Sequence, residues 1–153
     1  EGDAEYILME LFFKKVTGAD PHEFNVHIIS VGGKTFKRYL DLARGLDIRV
    51  AVITDNDGSY VNNITHNYRD YEKEDYWLIE ADTDDARSTF EICMYEDNKK
   101  ACDDLFGPGR TKLSVLEYML QNKAECSFEL LDKKSEGLIV PAYIQKAIEW
   151  ISA

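Results

Sequence analysis

Positive charge is scarce in this sequence. Lys and Arg number 18 against 29 Asp and Glu in 153 residues, a formal charge of −11. Taken alone, that sign argues against a domain that holds a polyanion by counterion release. Cysteine is also sparse: Cys93, Cys102 and Cys126 are odd in number and irregularly spaced, with no CxxC and no adjacent His. Neither a disulfide framework nor a zinc site follows, and a reducing, cytoplasmic setting is expected. No apolar run approaches the roughly 18 residues of a membrane span, and the N-terminus lacks the basic-then-apolar layout of a signal peptide. Repeats and low-complexity tracts are absent as well. What remains is 44% hydrophobic and 31% charged residues, a composition that folds, at a length that suits one domain. The acidic surplus changes meaning if part of it is concentrated where a divalent cation can sit.

Ala4, Ile7, Leu8, Leu11 and Phe12 recur at helical spacing, predicting an amphipathic helix over 3–15 that ends at Gly18 and Pro21. Asn25 to Val31 reads as a short buried strand closed by Gly32 and Gly33. A second helix carries Phe36, Tyr39, Leu40, Ala43 and Leu46 on one face, with Gly45 marking its end. Val50 to Thr54 is a continuous, mostly β-branched run, the signature of a strand covered on both faces. Helix, strand, helix, strand with short connections predicts an α/β sheet with right-handed crossovers, whose first strand would precede Glu1. The start at Glu1-Gly2, without Met and almost directly before a helix, reads as a segment of a longer chain. Residues 56–75 have no clear period and read as an excursion or loop. Tyr76 to Glu80 is a further strand candidate, Glu91 to Tyr95 a strand or a helix start, and Glu96 to Leu105 a helix. Gly107-Pro108-Gly109 is the strongest break. Beyond it, 112–131 reads as one or two helices and 142–151 as a terminal helix begun after Pro141.

In an open parallel sheet, functional residues gather at the carboxyl ends of the strands. Two acidic motifs fall there. Glu1 and Glu5 flank the first turn of the first helix, and Asp55-Asn56-Asp57-Gly58 follows the run Val50 to Thr54. Alternation predicts that Asp55 and Asp57 point the same way, with Gly58 letting the chain turn off. Two carboxylates facing one or two from a neighbouring loop are hard oxygen ligands for Mg²⁺ or Mn²⁺. Taken singly, each motif is an ordinary feature: a turn with two solvated aspartates, or acidic residues complementing a helix dipole.

These segments resemble a known family. Glu1-Gly2-Asp3-Ala4-Glu5, Ile29-Ser30-Val31-Gly32-Gly33-Lys34 with Phe36, and Val50 to Gly58 together are similar to a TOPRIM domain, more narrowly to the TOPRIM nuclease domain of the OLD (overcoming lysogenization defect) family. Thr89-Phe90-Glu91 resembles that family's third acidic motif, Lys123 falls where it carries a lysine, and Val140 to Trp150 resembles its C-terminal helix. The resemblance implies an α/β, Rossmann-like TOPRIM domain across 1–153, a mostly parallel sheet flanked by helices, with a helical C-terminal part over about 111–153. It further implies a DNA endonuclease using two Mg²⁺ or Mn²⁺ ions, an ATPase domain upstream in the same chain, a role in anti-phage defence that includes the Gabija type, a helicase-like partner protein and homo-oligomers. Carried over by position, Glu1, Glu5, Asp55 and Asp57 are metal ligands, Glu91 a ligand of the second metal, and Lys123 a stabiliser of charge on the scissile phosphate. The chemistry suits the residues: phosphodiester hydrolysis needs water made nucleophilic at neutral pH and charge neutralised on the attacking and leaving oxygens, and paired divalent ions do both.

Other residues carry weaker signals. His27, mid-strand, reads as a structural histidine, and His66 with Tyr60, Tyr68 and Tyr71 reads as a loop tucked down by its tyrosines, with base stacking the alternative. Asp82, Asp84 and Asp85 form a charge run typical of a solvated loop, and Ser88 or Thr89 stands where it could orient a water on a metal. Arg110 and Lys112 are too few for a phosphate patch, and Gly32-Gly33-Lys34 lacks the full phosphate-loop spacing. Two other functions compete: another TOPRIM chemistry, primase or topoisomerase-like, and a non-catalytic assembly module with an unused acidic pocket.

Overall fold

The computed structural model describes residues 1–71 and 76–153. Residues 72–75, the end of the excursion read from the sequence, lie outside the described residues. Helix α1 (Asp3–Thr17) buries Ala4, Leu8, Phe12 and Phe13, and Gly18 closes it in the left-handed region (φ 83°), its N–H donating to the Lys14 carbonyl at 2.9 Å. A single 3₁₀ turn (Pro21–Phe24) follows. The expected strand at 25–31 does not form: no ladder partner exists for it among the described residues, and His27 and Ile29 are exposed. Its apolar alternation was the right composition for a strand, but a strand is completed by its neighbour, and none is described beside it.

Helix α2 (Phe36–Leu46) buries Phe36, Leu40 and Ala43 only. Tyr39 and Leu46, expected on that face, are exposed together with Leu42. Gly45 lies inside the helix, and Asp47 takes the left-handed closing position instead (φ 57°), a conformation that the short polar side chains Asn and Asp tolerate. Strand β1 (Val50–Ile53) pairs in parallel with β2 (Trp77–Glu80), with Val50 opposite Trp77 and Ile53 opposite Glu80. Between them the excursion is partly helical, since Val61–His66 forms a π-helical turn whose Ile64 is buried.

Thr89 begins helix α3 (Phe90–Asp97), which resolves the strand-or-helix ambiguity in favour of a helix. Asn98 interrupts the run, and α4 (Lys99–Phe106) continues it. The predicted stretch at 112–131 is two helices, α5 (Val115–Gln121) and α6 (Lys123–Lys134), and α7 (Ala142–Ser152) is the terminal helix. The result is a small parallel sheet with helices packed on it and a helical C-terminal part, with α7 against both strands and α1 against α6 and α7.

Two apolar clusters hold these parts. The larger joins α1 to α3–α7 through Leu8, Phe12, Phe90, Phe106, Leu130 and Ile144. The smaller packs Phe36 and Leu40 of α2 on Val52, Tyr68, Tyr71 and Trp77. All three cysteines are buried and free. Among the described residues, no helix is long and apolar enough to cross a membrane.

At the break after α4, a Cβ on Gly107 would run into the backbone carbonyl of Asp103. Gly107→Ala is therefore expected to lower stability by about 1–3 kcal/mol, the usual cost of forcing extra volume into packed structure. A urea unfolding curve checks this, and an unchanged midpoint would contradict the close approach.

Candidate metal and active site

The end of β1 and the starts of three helices converge on one pocket. Asp55 leaves the strand and is only partly exposed; its Oδ1 accepts the Phe90 N–H at 2.8 Å, a first-turn donor of α3 that has no partner inside its own helix. One residue on, Glu91 is buried and its Oε2 accepts from Lys123 Nζ at 3.0 Å. Lys123 is the first residue of α6, and its side chain is half exposed.

Glu1 and Glu5 come from the opposite wall. Glu1 Oε2 accepts from the Thr54 hydroxyl at 2.8 Å and from the Asp55 N–H at 3.2 Å. The Glu1 carbonyl takes the Gly33 N–H at 3.1 Å. Glu5, buried in the first turn of α1, accepts the Gly2 N–H at 3.3 Å. Glu1, Asp3, Glu5, Asp55, Glu91 and Lys123 line a cavity of about 240 Å³.

The electrostatics follow from this crowding. Burial and the neighbouring charges of Glu5, Glu1 and Glu91 push the Asp55 carboxyl up to about 7, against which the Phe90 N–H is too weak. Burial pulls the Lys123 ammonium down, but its bond to Glu91 and the charges of Asp55 and Glu5 outweigh it, leaving its pKa above the usual lysine value. One cation faces five carboxylates.

Five of the six residues expected at the site are thus gathered on one cavity, and Asp57 is not. Asp57 sits at φ 48° and its carboxylate is ion-paired with Lys34 on the surface. The alternation that would have aligned it with Asp55 holds only while the chain stays extended, and here it has already turned. Asp3 is a lining residue that helical patterning hid among the surface positions of α1. Asn56, buried within the acidic tetrapeptide, was also missed: its amide donates to the Asp82 and Asp84 carbonyls at 2.8 and 2.9 Å and accepts from the Gly58 N–H at 2.7 Å. A buried Asn between two strand-end loops is the signal that was available.

The remaining candidates resolve plainly. Tyr68 and Tyr71 are buried beside Trp77, which rules them out as an open stacking platform, whereas His66 and His27 are exposed. Asp82 is ion-paired with Arg87 at 2.7 Å, and Asp85 accepts the Tyr60 N–H, so the charge run is tied into the fold rather than merely solvated. Arg110 is committed to Glu129. Thr89 Oγ1 is buried without a hydrogen-bond partner among the described residues, a polar orphan next to Phe90 and Glu91.

Among the described residues, no three His, Cys, Asp or Glu side chains form a ready metal cage. The donor chemistry nonetheless suits a hard divalent cation: every candidate donor is an oxygen, the acid groups share one cavity, and burial with the neighbouring carboxylates raises the Asp55 carboxyl to about 7.

An α/β domain with an acidic pocket at the carboxyl end of a parallel strand defines the class. Within it, residues 1–57 match the model of the family described as overcoming lysogenization defect protein-like, TOPRIM domain. The match takes in Glu1, Glu5 and Asp55 and ends at Asp57, so Glu91 and Lys123 are placed by the fold alone. No curated protein and no solved structure matches the chain.

Proposed function

We propose that this chain carries the catalytic centre of a divalent-metal-dependent DNA endonuclease of TOPRIM type, holding two Mg²⁺ or Mn²⁺ ions. The single observation that supports it most is the convergence of Glu1, Glu5, Asp55 and Glu91 with one lysine on one cavity at the end of β1. Bound divalent ions would supply a water made nucleophilic at neutral pH and neutralise charge on the phosphate oxygens. Glu1, Glu5 and Asp55 are the residues to hold one ion and Glu91 the second. Asp57 can join only by releasing Lys34.

The protein groups have their own tasks. Thr54 and the Asp55 N–H fix the Glu1 carboxylate, and the Phe90 N–H fixes that of Asp55, so the ligand oxygens are oriented before any ion arrives. Lys123, bonded to Glu91 and half exposed, stands where a phosphate oxygen would approach and adds fixed positive charge. Among the described residues no tyrosine lines the cavity, which favours hydrolysis over transfer to a tyrosine of this chain. The resemblance extends the proposal to a longer protein with an upstream ATPase domain, acting in anti-phage defence as a homo-oligomer, of the Gabija type and with a helicase-like partner.

Two measurements test the site. Titration with Mn²⁺ is expected to show saturable binding and to raise the melting temperature, since a ligand of the folded state alone must stabilise it. Lys123→Met is expected to keep or tighten Mn²⁺ binding while lowering plasmid cleavage about 100- to 1,000-fold, the usual effect of losing one charge-stabilising donor. Absence of Mn²⁺ binding at millimolar concentration would favour a non-catalytic assembly module instead.

A further inference from the structure

The 18 basic residues are not spread evenly. Residues 34–49 contain five of them, Lys34, Lys37, Arg38, Arg44 and Arg49, against only Asp41 and Asp47. This segment, helix α2 with its flanks, is positive within a chain of charge −11. All five basic residues are exposed.

How these cations are used differs from the rest of the molecule. Elsewhere most are matched to acids, as Arg87 is to Asp82, Glu96 and Asp97, Lys99 to Asp103, Lys133 to Glu129 and Lys146 to Glu80. On α2, Lys37 lies over the Tyr68 ring at 5.7 Å, a contact that leaves its charge in place. Arg38 has no carboxylate within ion-pairing distance among the described residues. Lys34 is paired with an acid, Asp57.

The helix geometry sorts these residues. Phe36, Leu40 and Ala43 face the core, whereas Lys37 and Arg38 are exposed in the first turn, and Lys34 is exposed two residues before the helix begins. The chain just before α2 meets the pocket wall where the Gly33 N–H donates to the Glu1 carbonyl, and Lys34 pairs with Asp57 on the surface two residues beyond Asp55. A positive patch therefore stands beside the carboxylate cavity and covers the first turn of α2, about 5.4 Å of helix, before Asp41 follows. That length spans about two phosphates along one strand of a duplex.

We propose that the Lys34, Lys37 and Arg38 patch at the start of α2 is the phosphodiester-backbone track of this protein, gripping a DNA duplex so that its strand leads into the acidic pocket. The inference rests on the nuclease reading of that pocket for its direction, but on charge and geometry for its binding. Phosphate contacts of this kind position a duplex without reading its sequence. When a phosphate displaces Asp57 from Lys34, the freed carboxylate becomes available beside the pocket.

The test is binding of a fluorescein-labelled 20-base-pair DNA duplex to the 153-residue chain in EDTA, across a salt series starting at 50 mM. Lys37→Gln with Arg38→Gln is expected to weaken binding at least tenfold at the lowest salt and to flatten the slope of log K against log[salt] by roughly 1.8, or about 0.9 per lost contact. Lys99→Gln with Lys100→Gln, the same charge change on α4, is expected to leave both quantities unchanged. Circular dichroism melts of both double variants confirm that each is folded. Equal weakening by the two pairs, or none by either, overturns the track, as does wild-type binding too weak to detect at 100 µM protein. The nuclease reading fails separately: patch-dependent binding with no cleavage in Mn²⁺ would leave the track standing and remove that reading, whereas cleavage with patch-independent binding would do the reverse.

Discussion

Asp55→Asn is expected to make the metal-free protein melt at a higher temperature at pH 8 while abolishing Mn²⁺ binding and lowering cleavage by at least about 1,000-fold. The stabilisation follows from the sign of the Asp55 shift. Its carboxyl titrates at about 7 in the folded chain against the ordinary 3.8, because burial and Glu5, Glu1 and Glu91 penalise the charged form. A group raised in this way favours folding fully below its unfolded value, and that contribution is lost as pH rises from about 4 through 7. Three units correspond to about 4 kcal/mol as an upper bound, or roughly 8–16 °C in a chain of this size. The wild type should therefore lose stability relative to Asp55→Asn between pH 5 and pH 8, with the two curves meeting at low pH. Asn still accepts the Phe90 N–H, so the fold is kept. Saturating Mn²⁺ should reverse the order at pH 8, raising the wild type alone. Paired melting curves at three pH values, with and without Mn²⁺, decide it. A variant that melts below the wild type in EDTA and still responds to Mn²⁺ would remove Asp55 from the site.

The acids that destabilise the empty pocket are the ones the nuclease reading needs, which places function and stability in opposition at β1. The same opposition explains a charge of −11 in a protein proposed to act on DNA. Divalent ions would neutralise the local excess, and a positive helix beside it supplies the attraction that the average composition hides. Net charge constrains long-range attraction, whereas a backbone track depends on where a few cations stand.

Much of this was legible in the chain. The helical period of α1, the continuous run of β1 and the acids at its end led directly to Glu1, Glu5 and Asp55 on one cavity. What escaped was set by partners distant in sequence. Val26, Ile28 and Val31 have strand composition, yet no neighbouring strand is described for them. Asp57 shares its motif with Asp55 but leaves extended geometry at φ 48° and meets Lys34 instead. Lys123 and Glu91, 32 residues apart, are joined only because α3 and α6 begin at the same wall. Gly45 offered the obvious helix stop, but Asp47 took the left-handed position two residues later.

The second large effect is expected at Asn56, which is itself no candidate ligand yet braces the loop that follows Asp55 against the loop that leads to Glu91. Its side chain is buried and ties the loop after β1 to the loop after β2 through the Asp82 and Asp84 carbonyls, while its Oδ1 holds the Gly58 N–H. Asp55 precedes this brace, and the loop it grips leads to Phe90 and Glu91, so the brace sets the distance between two walls of the pocket. Asn56→Ala leaves two carbonyls and one N–H without their partner, at up to about 1–3 kcal/mol for each, less where water reaches the group as at the exposed Asp84 and Gly58. The sum, roughly 3–9 kcal/mol as an upper bound, is a large share of the 5–15 kcal/mol that typically holds a domain together. Asn56→Asp is the sharper variant, since it keeps the shape and the Gly58 bond but turns an oxygen toward two carbonyl oxygens. That carboxyl would be forced above its ordinary pKa, so the Asp variant should be less stable than the Ala variant at pH 8 and regain stability as pH falls toward 5. Urea unfolding at both pH values measures this, and Mn²⁺ titration of the folded fraction tests the link to the pocket, where affinity should fall at least tenfold although no ligand has been removed. Wild-type stability in both variants would show that the two loops are held together by something other than Asn56.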